Sequence, residues 1–483
     1  MNIKAISYNV GMALLVSALF MFLSLVVSLI YGMDSGFTPL LISFVITLLV
    51  GAFPFIFTRR PGTMSLKDGF LTIVLSWLLS FIVGMLPYVL YGGEFTLMNA
   101  WFESVSGYTT TGATILTDIE ALPRSLLFWR SSTHYIGGLG VVVFLLLILP
   151  DTSPFKHRLS NIEISSMSRS GYNYQSGKTV RVMLTVYLAM TIVETLLLWA
   201  AGMSLFDAVN HAFSTIATGG FSTKNSSIMH FDSPLIDIII MVFMALSAMH
   251  FGVIYAVFAR RSLAPMKNSV TRYYFGVMII LSLAVMTDLI VQGGYTSFGR
   301  AALDSSFQVV SFLSTTGFGQ ADNATWPFFS NIILLFAAIH CGCSGSTTGG
   351  LKSDRMLVSF KATGMEFKKR LHPSSVFRMK IDGITLKDET ISAVFLFIVT
   401  YISVLLISFI IVLATGVPVA EAFSGTLASL GNAGPGIGSL GTMGNYSAQP
   451  DLAKFVYSMD MYLGRIEIFP FLVVLSLIFR RNR

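Results

Sequence analysis

The chain has 483 residues, 54% of them hydrophobic and only 11% charged, with 31 Lys and Arg against 24 Asp and Glu for a formal net charge of +7. That leaves too little polar surface to cover a water-soluble core, which sets aside the soluble enzymes and binding modules. Nucleic-acid binding is set aside too, because the basic residues stand singly beside apolar runs and form no patch.

Apolar stretches of about 20 residues, the length a helix needs to cross the hydrocarbon, recur along the whole chain. They predict spans at 10–31, 38–57, 69–91, 127–150, 179–201, 234–258, 272–292, 327–343, 390–415 and 455–479. The first lacks a small-residue cleavage site and leads straight into the second, so it is expected to be retained and not removed as a signal peptide. Basic residues gather in alternate connections: Arg59, Arg60 and Lys67; Lys156, Arg158, Arg169 and Lys178; Arg260, Arg261, Lys267 and Arg272; Lys368, Lys369, Arg370, Arg378 and Lys380; then Arg480, Arg481 and Arg483. The connections between them carry Asp34, Glu94, Asp118, Glu120, Asp322 and Asp451 instead. The positive-inside rule therefore predicts a multi-pass protein with both termini and the basic connections in the cytoplasm.

After the third span comes TTTGAT, 109–114, a cluster of hydroxyls and a glycine between apolar runs. Alone it reads as a helix-ending turn with a glycine cap. It is not alone, since related clusters occur at 216–221, 313–318 and 430–435, each preceded by a short, moderately apolar segment: 99–108, 206–216, 302–313 and 420–430. Span, half-length helix, small-residue loop, span is thus predicted four times, after two extra spans. Non-helical backbone at membrane depth is tolerated only where it is buried in protein or lines a watery path. Four such loops around one axis could turn carbonyl oxygens toward a cation and replace its hydration shell. The short helices would add their negative C-terminal ends, and glycine the unusual backbone angles.

Further along, 341–350 reads CGCSGSTTGG and interrupts the apolar run that starts at 327. So many glycines and hydroxyls predict an irregular linker within the bundle, the bland alternative being a cytoplasmic loop. Cys341 and Cys343, the only two cysteines, say little about redox compartment. Arg465 stands with Glu467 inside the apolar stretch 455–479. A charge at mid-bilayer costs about 2.5–3.5 kcal/mol even on the lenient insertion scale, so it must meet a carboxylate or water. Residues i and i+2 point to different helix faces, so Glu467 is poorly set to be its partner. His134, His211, His250 and His340 lack ligand spacing, and Gly137, Gly138 and Gly140 are read as close helix contacts. No GxxxxGK[ST] phosphate loop is present.

Taken together, TTTGAT, TGGFST, STTGFG and GNAGPGIG, with CSGSTTGGLK at 343–352 and GRIEIF at 464–469, resemble the Trk/Ktr/HKT superfamily of potassium transporters, in particular its bacterial TrkH branch. The resemblance covers nearly the whole chain. It implies an all-α polytopic membrane protein of four helix, re-entrant pore helix, helix pseudo-repeats around one pore, preceded by two extra helices at 1–68. The repeats would be 69–178, 179–271, 272–388 with a gate loop at 341–352 and a cytoplasmic segment, and 389–483. By the same resemblance Gly112, Gly220, Gly317 and Gly434 line a potassium filter, and Thr110, Thr111, Thr218, Gly219, Thr315, Thr316, Asn432 and Ala433 supply its coordinating backbone. Gly342, Gly345, Gly349 and Gly350 would let the gate loop move, Lys352 would end it near the cytoplasmic face, and Arg465 would face the pore. Potassium is then the substrate, with no cofactor or other metal in this chain. Also implied are a homodimer, a cytosolic TrkA-type Rossmann ring that binds the regulatory nucleotide, and the bacterial inner membrane as location. Two other functions are kept beside this one. A secondary transporter coupling potassium to protons or sodium would use buried acids, for which Glu103, Asp304, Glu194, Asp237 and Glu467 are candidates. A membrane enzyme would need a nucleophile and base together, and no such pair can be placed.

Overall fold

The computed structural model describes residues 2–58, 64–147 and 176–480. Arg59, Arg60, Lys156, Arg158, Arg169, Arg481 and Arg483, and positions 148–150 of the fourth predicted span, lie outside the described residues. Two long apolar helices come first, α1 (Ile3–Ile30) and α2 (Phe37–Phe57), packed on each other and on the first repeat, defined below, α1 on α3 and α5 and α2 on α3. Four helix triplets follow.

The first triplet is α3 (Leu66–Tyr91), the short α4 (Leu97–Tyr108) and α5 (Arg124–Leu147); the second is α6 (Ser176–Ala200), the short α7 (Leu205–Ile216) and α8 (Pro234–Ser247), continued by α9 (Phe251–Arg260). In the third are α10 (Ser269–Val291), α11 (Phe298–Leu313) and α12 (Phe328–His340), followed by the basic α13 (Ser353–Leu371) and a two-stranded hairpin, β1 (Lys380–Ile381) with β2 (Ile384–Thr385). The fourth is α14 (Asp388–Ala414), α15 (Val419–Leu430) and α16 (Asp451–Arg465), continued by α17 (Phe469–Arg480).

The short helices coincide closely with the predicted half-length segments. At 12, 12, 16 and 12 residues they extend about 18–24 Å and are too short for a bilayer core of about 30 Å. Side-chain caps start three of them: Thr96, Ser204 and Ser297 accept from Asn99, Asp207 and Arg300 N–H. Around the molecule, the third helix of each triplet packs on the short helix of the next: α5 on α7, α8 on α11, α12 on α15, and α16 back on α4. The four repeats therefore close into a ring.

The outer surface is apolar. Leu49, Phe53, Ile192, Leu196, Ile280, Leu283, Ile407 and Ile410 are exposed there, while hydroxyls such as Ser104, Ser106, Thr133, Ser214, Ser311 and Ser429 are buried. That inversion suits a protein whose outer solvent is lipid, and among the described residues six helices are long and apolar enough to cross it.

Three predicted spans are corrected. The stretch 234–258 is not one helix: α8 and α9 meet at 104° across residues 248–250. The stretch 455–479 breaks at 466–468, where Glu467 and Ile468 have φ of 61° and 54°. The stretch 327–343 is helical only to His340, and Cys341 turns out at φ 54°. Hydropathy misses such breaks because most side chains around them stay apolar while the freed backbone groups are satisfied elsewhere, either in a local turn or in another segment. At the 248–250 break, Cys343 N–H donates to Ala248 O at 2.8 Å and Phe251 N–H to Gly345 O at 3.2 Å. Loop 341–352 thus stitches itself into the broken second repeat.

Candidate functional site

Each short helix ends in the same two-bond cap. Thr110 and Thr111 N–H donate back to Gly107 O and Ser106 O at 3.0 and 2.9 Å; Thr218 and Gly219 to Thr215 and Ser214 at 2.9 and 2.8 Å; Thr315 and Thr316 to Phe312 and Ser311 at 3.1 and 2.9 Å; Asn432 and Ala433 to Ser429 and Ala428 at 3.1 and 2.8 Å. The cap satisfies helix-end carbonyls and sets the chain direction. Thr110, Thr218, Thr315 and Asn432 are left-handed at φ 53°, 56°, 54° and 54°, the next residue is not, and Gly112, Gly220, Gly317 and Gly434 are left-handed again at 81°, 82°, 77° and 85°. Alternating hand gathers like backbone groups on one side of the strand. With the N–H groups turned back into the helix end, the carbonyls of Thr110, Thr111, Thr218, Gly219, Thr315, Thr316, Asn432 and Ala433 accept no hydrogen bond from the described residues. Buried carbonyls are ordinarily paired, so these oxygens form a site that wants a cation.

The ring closes at the glycines. A Cβ on Gly112 would strike Gly219 O, one on Gly220 would strike Thr316 O, one on Gly317 would strike Ala433 O, and one on Gly434 would strike Thr111 O. Each loop rests on the carbonyl of the next, and the fourth rests on the first. A cavity is lined by all four glycines together with Thr114, Arg130 and Lys224.

Side chains lock the loops to one another. Asn432 Nδ2 donates to Thr111 Oγ1 at 3.1 Å and to Met461 O at 2.8 Å, joining the fourth loop to the first. Ser314 and Thr316 hydroxyls pair at 2.8 Å, as do Thr109 and Thr111. A fully buried ion pair, Arg130 Nε to Glu103 Oε1 at 2.8 Å, holds the outer end. Glu103 also accepts from Thr114 Oγ1 at 3.0 Å and Ile115 N–H at 3.1 Å, while Arg130 donates to Ser222 O at 3.3 Å and lies 4.0 Å over the Phe221 ring. The pair fastens the loops of repeats one and two. Glu103→Gln leaves the guanidinium buried without its counter-charge, and breaking such a pair costs about 3–5 kcal/mol. The expected result is a clearly lower thermal midpoint in detergent; an unchanged midpoint would show that the pair does not hold the loops.

Below the helix ends lies loop 341–352, buried for most of its length. Thr347 Oγ1 donates to Ile216 O at 3.1 Å, and Gly349 N–H to Thr315 Oγ1 at 3.4 Å. A Cβ on Gly349 would meet Gly431 O at 2.6 Å. Arg465 donates to Thr347 O at 2.5 Å and to Gly137 O at 2.9 Å. The loop therefore touches the ends of repeats two, three and four directly and is tied to repeat one through Arg465. Gly345 and Gly350 are left-handed, whereas Gly342 and Gly349 are not; Gly342 is there for closeness to Ala248 O.

Arg465 has no contact with Glu467. Glu467, turned by the break in the last helix, instead bonds Lys352 Nζ at 2.9 Å and Arg355 Nη2 at 2.7 Å. Lys352, at the end of the loop, is thus a buried ion-pair partner, only 6% exposed. Of the other acids, Asp304 pairs with Arg300 at 3.0 Å and Asp237 accepts from Gln320 at 3.2 Å. The filter and loop positions named from sequence all converge here. Sequence reasoning named Lys352 as the end of the loop and Glu103 and Glu467 as candidate acids, but it missed Arg130 and Arg355, gave His134 no role, and did not foresee the pairs Glu103–Arg130 and Lys352–Glu467–Arg355.

A family model described as TrkH, cation transport protein, matches residues 39–481. The chain is similar to the Trk system potassium uptake protein TrkH of Escherichia coli K12, 36% identical over 389 residues and 80% of each chain, and to TrkG of the same strain, 33% identical over 391 residues and 80% of each. Its fold is similar to the crystal structure of the potassium transporter TrkH from Vibrio parahaemolyticus, with a TM-score of 0.89 and 33% identity over 98% of this chain and 99% of that one.

Proposed function

We propose, from the premise that this chain belongs to the TrkH family of cation transport proteins, that it carries potassium into the cell through the ring of four loops. It is an integral membrane protein of a potassium-uptake transporter family. The single observation that carries the finer reading is the cyclic contact of each filter glycine with the next loop's unpaired carbonyl. A potassium ion that sheds its water meets these oxygens in its place. The four quarters differ in side chain but share one backbone, so the coordinating atoms are the same while their support is not.

Loop 341–352 is the gate in this reading. It lies across the inner end of the filter, and Arg465 both pins it and places a positive charge on the ion path. An inside-negative potential drives uptake by about 2.3 kcal/mol per unit charge per 100 mV. Glu467 links the loop to α13 through Lys352 and Arg355, giving the cytoplasmic side a handle on the gate. A cytosolic TrkA-type nucleotide-binding ring pulling on that handle, a homodimer, and an inner-membrane location with cytoplasmic termini complete the proposal. The test is ⁸⁶Rb⁺ and ²²Na⁺ uptake into proteoliposomes at fixed potential and pH. Rb⁺ uptake that exceeds Na⁺ uptake and follows the potential without a pH gradient is expected. Uptake only with a proton or sodium gradient would favour coupled transport.

A further inference from the structure

The second filter loop departs from the others at one position. Gly219 stands where the other repeats have Thr111, Thr316 and Ala433. The backbone does not demand glycine there, because Gly219, like its three equivalents, is not left-handed. The cause is a side chain from another repeat. A Cβ on Gly219 would strike His134 Nδ1 and come within 2.7 Å of its Cε1.

His134 is fully buried on α5 of the first repeat. Its Nδ1 lies 3.2 Å from Ser214 Oγ and accepts the Phe221 N–H at 3.4 Å, which leaves the ring proton on Nε2. The imidazole stacks on Phe221 at 4.0 Å and 17°. It therefore fills the space that a side chain fills in the other loops, and it grips the second loop before and after Thr218, Gly219 and Gly220. Between repeats one and two it does what the Asn432–Thr111 bond does between four and one.

We propose that His134 is a positioning residue that sets ion selectivity by holding the Thr218 and Gly219 carbonyls in the ring. This rests on the filter reading above. Gly219 and His134 are then one unit, a small residue and the imidazole it admits. Loss of the ring lets the second loop's oxygens relax, and a function that depends on geometry at the 1 Å scale can lose about 100-fold when its positioning groups shift by that much.

The test measures the Rb⁺/Na⁺ uptake ratio in proteoliposomes for the wild type, His134→Ala, Gly219→Thr and the double variant His134→Ala/Gly219→Thr. His134→Ala is expected to lower the ratio about tenfold. Gly219→Thr is expected to damage it when His134 is present and to restore it when His134 is Ala, because the threonine then occupies the vacated space. A wild-type ratio in folded, monodisperse His134→Ala would overturn the proposal, as would equal damage by Gly219→Thr in both backgrounds. Should His134→Ala not fold alone, the double variant decides: folded protein with recovered selectivity supports the proposal, and failure to recover overturns it. If the wild type itself does not distinguish Rb⁺ from Na⁺, the filter reading falls instead.

Discussion

Gly220→Ala is expected to reduce ⁸⁶Rb⁺ uptake by about 100-fold or more in proteoliposomes carrying equal amounts of protein. Two effects combine. At φ 82° an alanine pays a strain of about 1–3 kcal/mol for the left-handed conformation. Its Cβ would also press on Thr316 O, a backbone atom of the next loop, which cannot yield without moving one of the ring's unpaired oxygens. Gly416→Ala separates the two effects, since Gly416 is left-handed at φ 89° but has nothing within 4 Å of its Cβ. That variant should be mildly destabilised and transport at a near wild-type rate. If Gly220→Ala also transports normally, the ring is not the ion path.

Removing the clamp should act in the opposite direction. Arg465→Ala deletes two charge-assisted hydrogen bonds, to Thr347 O on the loop and Gly137 O on the first repeat. Of the two, only the bond to Thr347 O is lost when the loop moves, and a bond to a charged group contributes about 1.5–3 kcal/mol, so the closed arrangement should lose roughly 10- to 100-fold in population. Faster Rb⁺ uptake by the chain alone, and a weaker response when the proposed cytosolic ring and its nucleotide are added, are the expected outcomes. Arg465→Lys keeps the charge but cannot span both carbonyls, so it separates clamping from electrostatic repulsion. Unchanged flux in Arg465→Ala would remove both roles.

The half-length helices were legible because their signals are local. A run too short to span and a cluster of hydroxyls and glycine after its last turn both lie within one segment. The breaks at 248–250 and 466–468 were not legible. Ala248, Met249, Ile466 and Ile468 are as apolar as the helices around them; at 248–250 the freed backbone is taken up by a segment more than 90 residues away, Cys343 N–H bonding Ala248 O, whereas at 466–468 the turn closes on its own helix end, Ile468 N–H bonding Leu463 O.

Charge pairing divides in the same way. The local spacing of Arg465 and Glu467 argued against a bond between them, and the two indeed point apart. Which atoms they meet instead could not follow from spacing, since Lys352 and Gly137 lie in other repeats. Likewise Gly219 reads in sequence as a looser copy of the filter motif, and only the arrival of His134 explains it.

Sequence alone determined that this chain lives in a bilayer, that it repeats one helix–loop unit four times, and which small residues end the short helices. Periodicity, apolar length and glycine are properties of neighbours along the chain, and hydration energies and backbone sterics read them directly. Tertiary structure decided that the four loops close on one another, that loop 341–352 lies beneath them, and which buried charge meets which. Those outcomes depend on groups brought together from opposite ends of the chain, where an unpaired carbonyl or guanidinium settles against whatever partner the folded ring delivers.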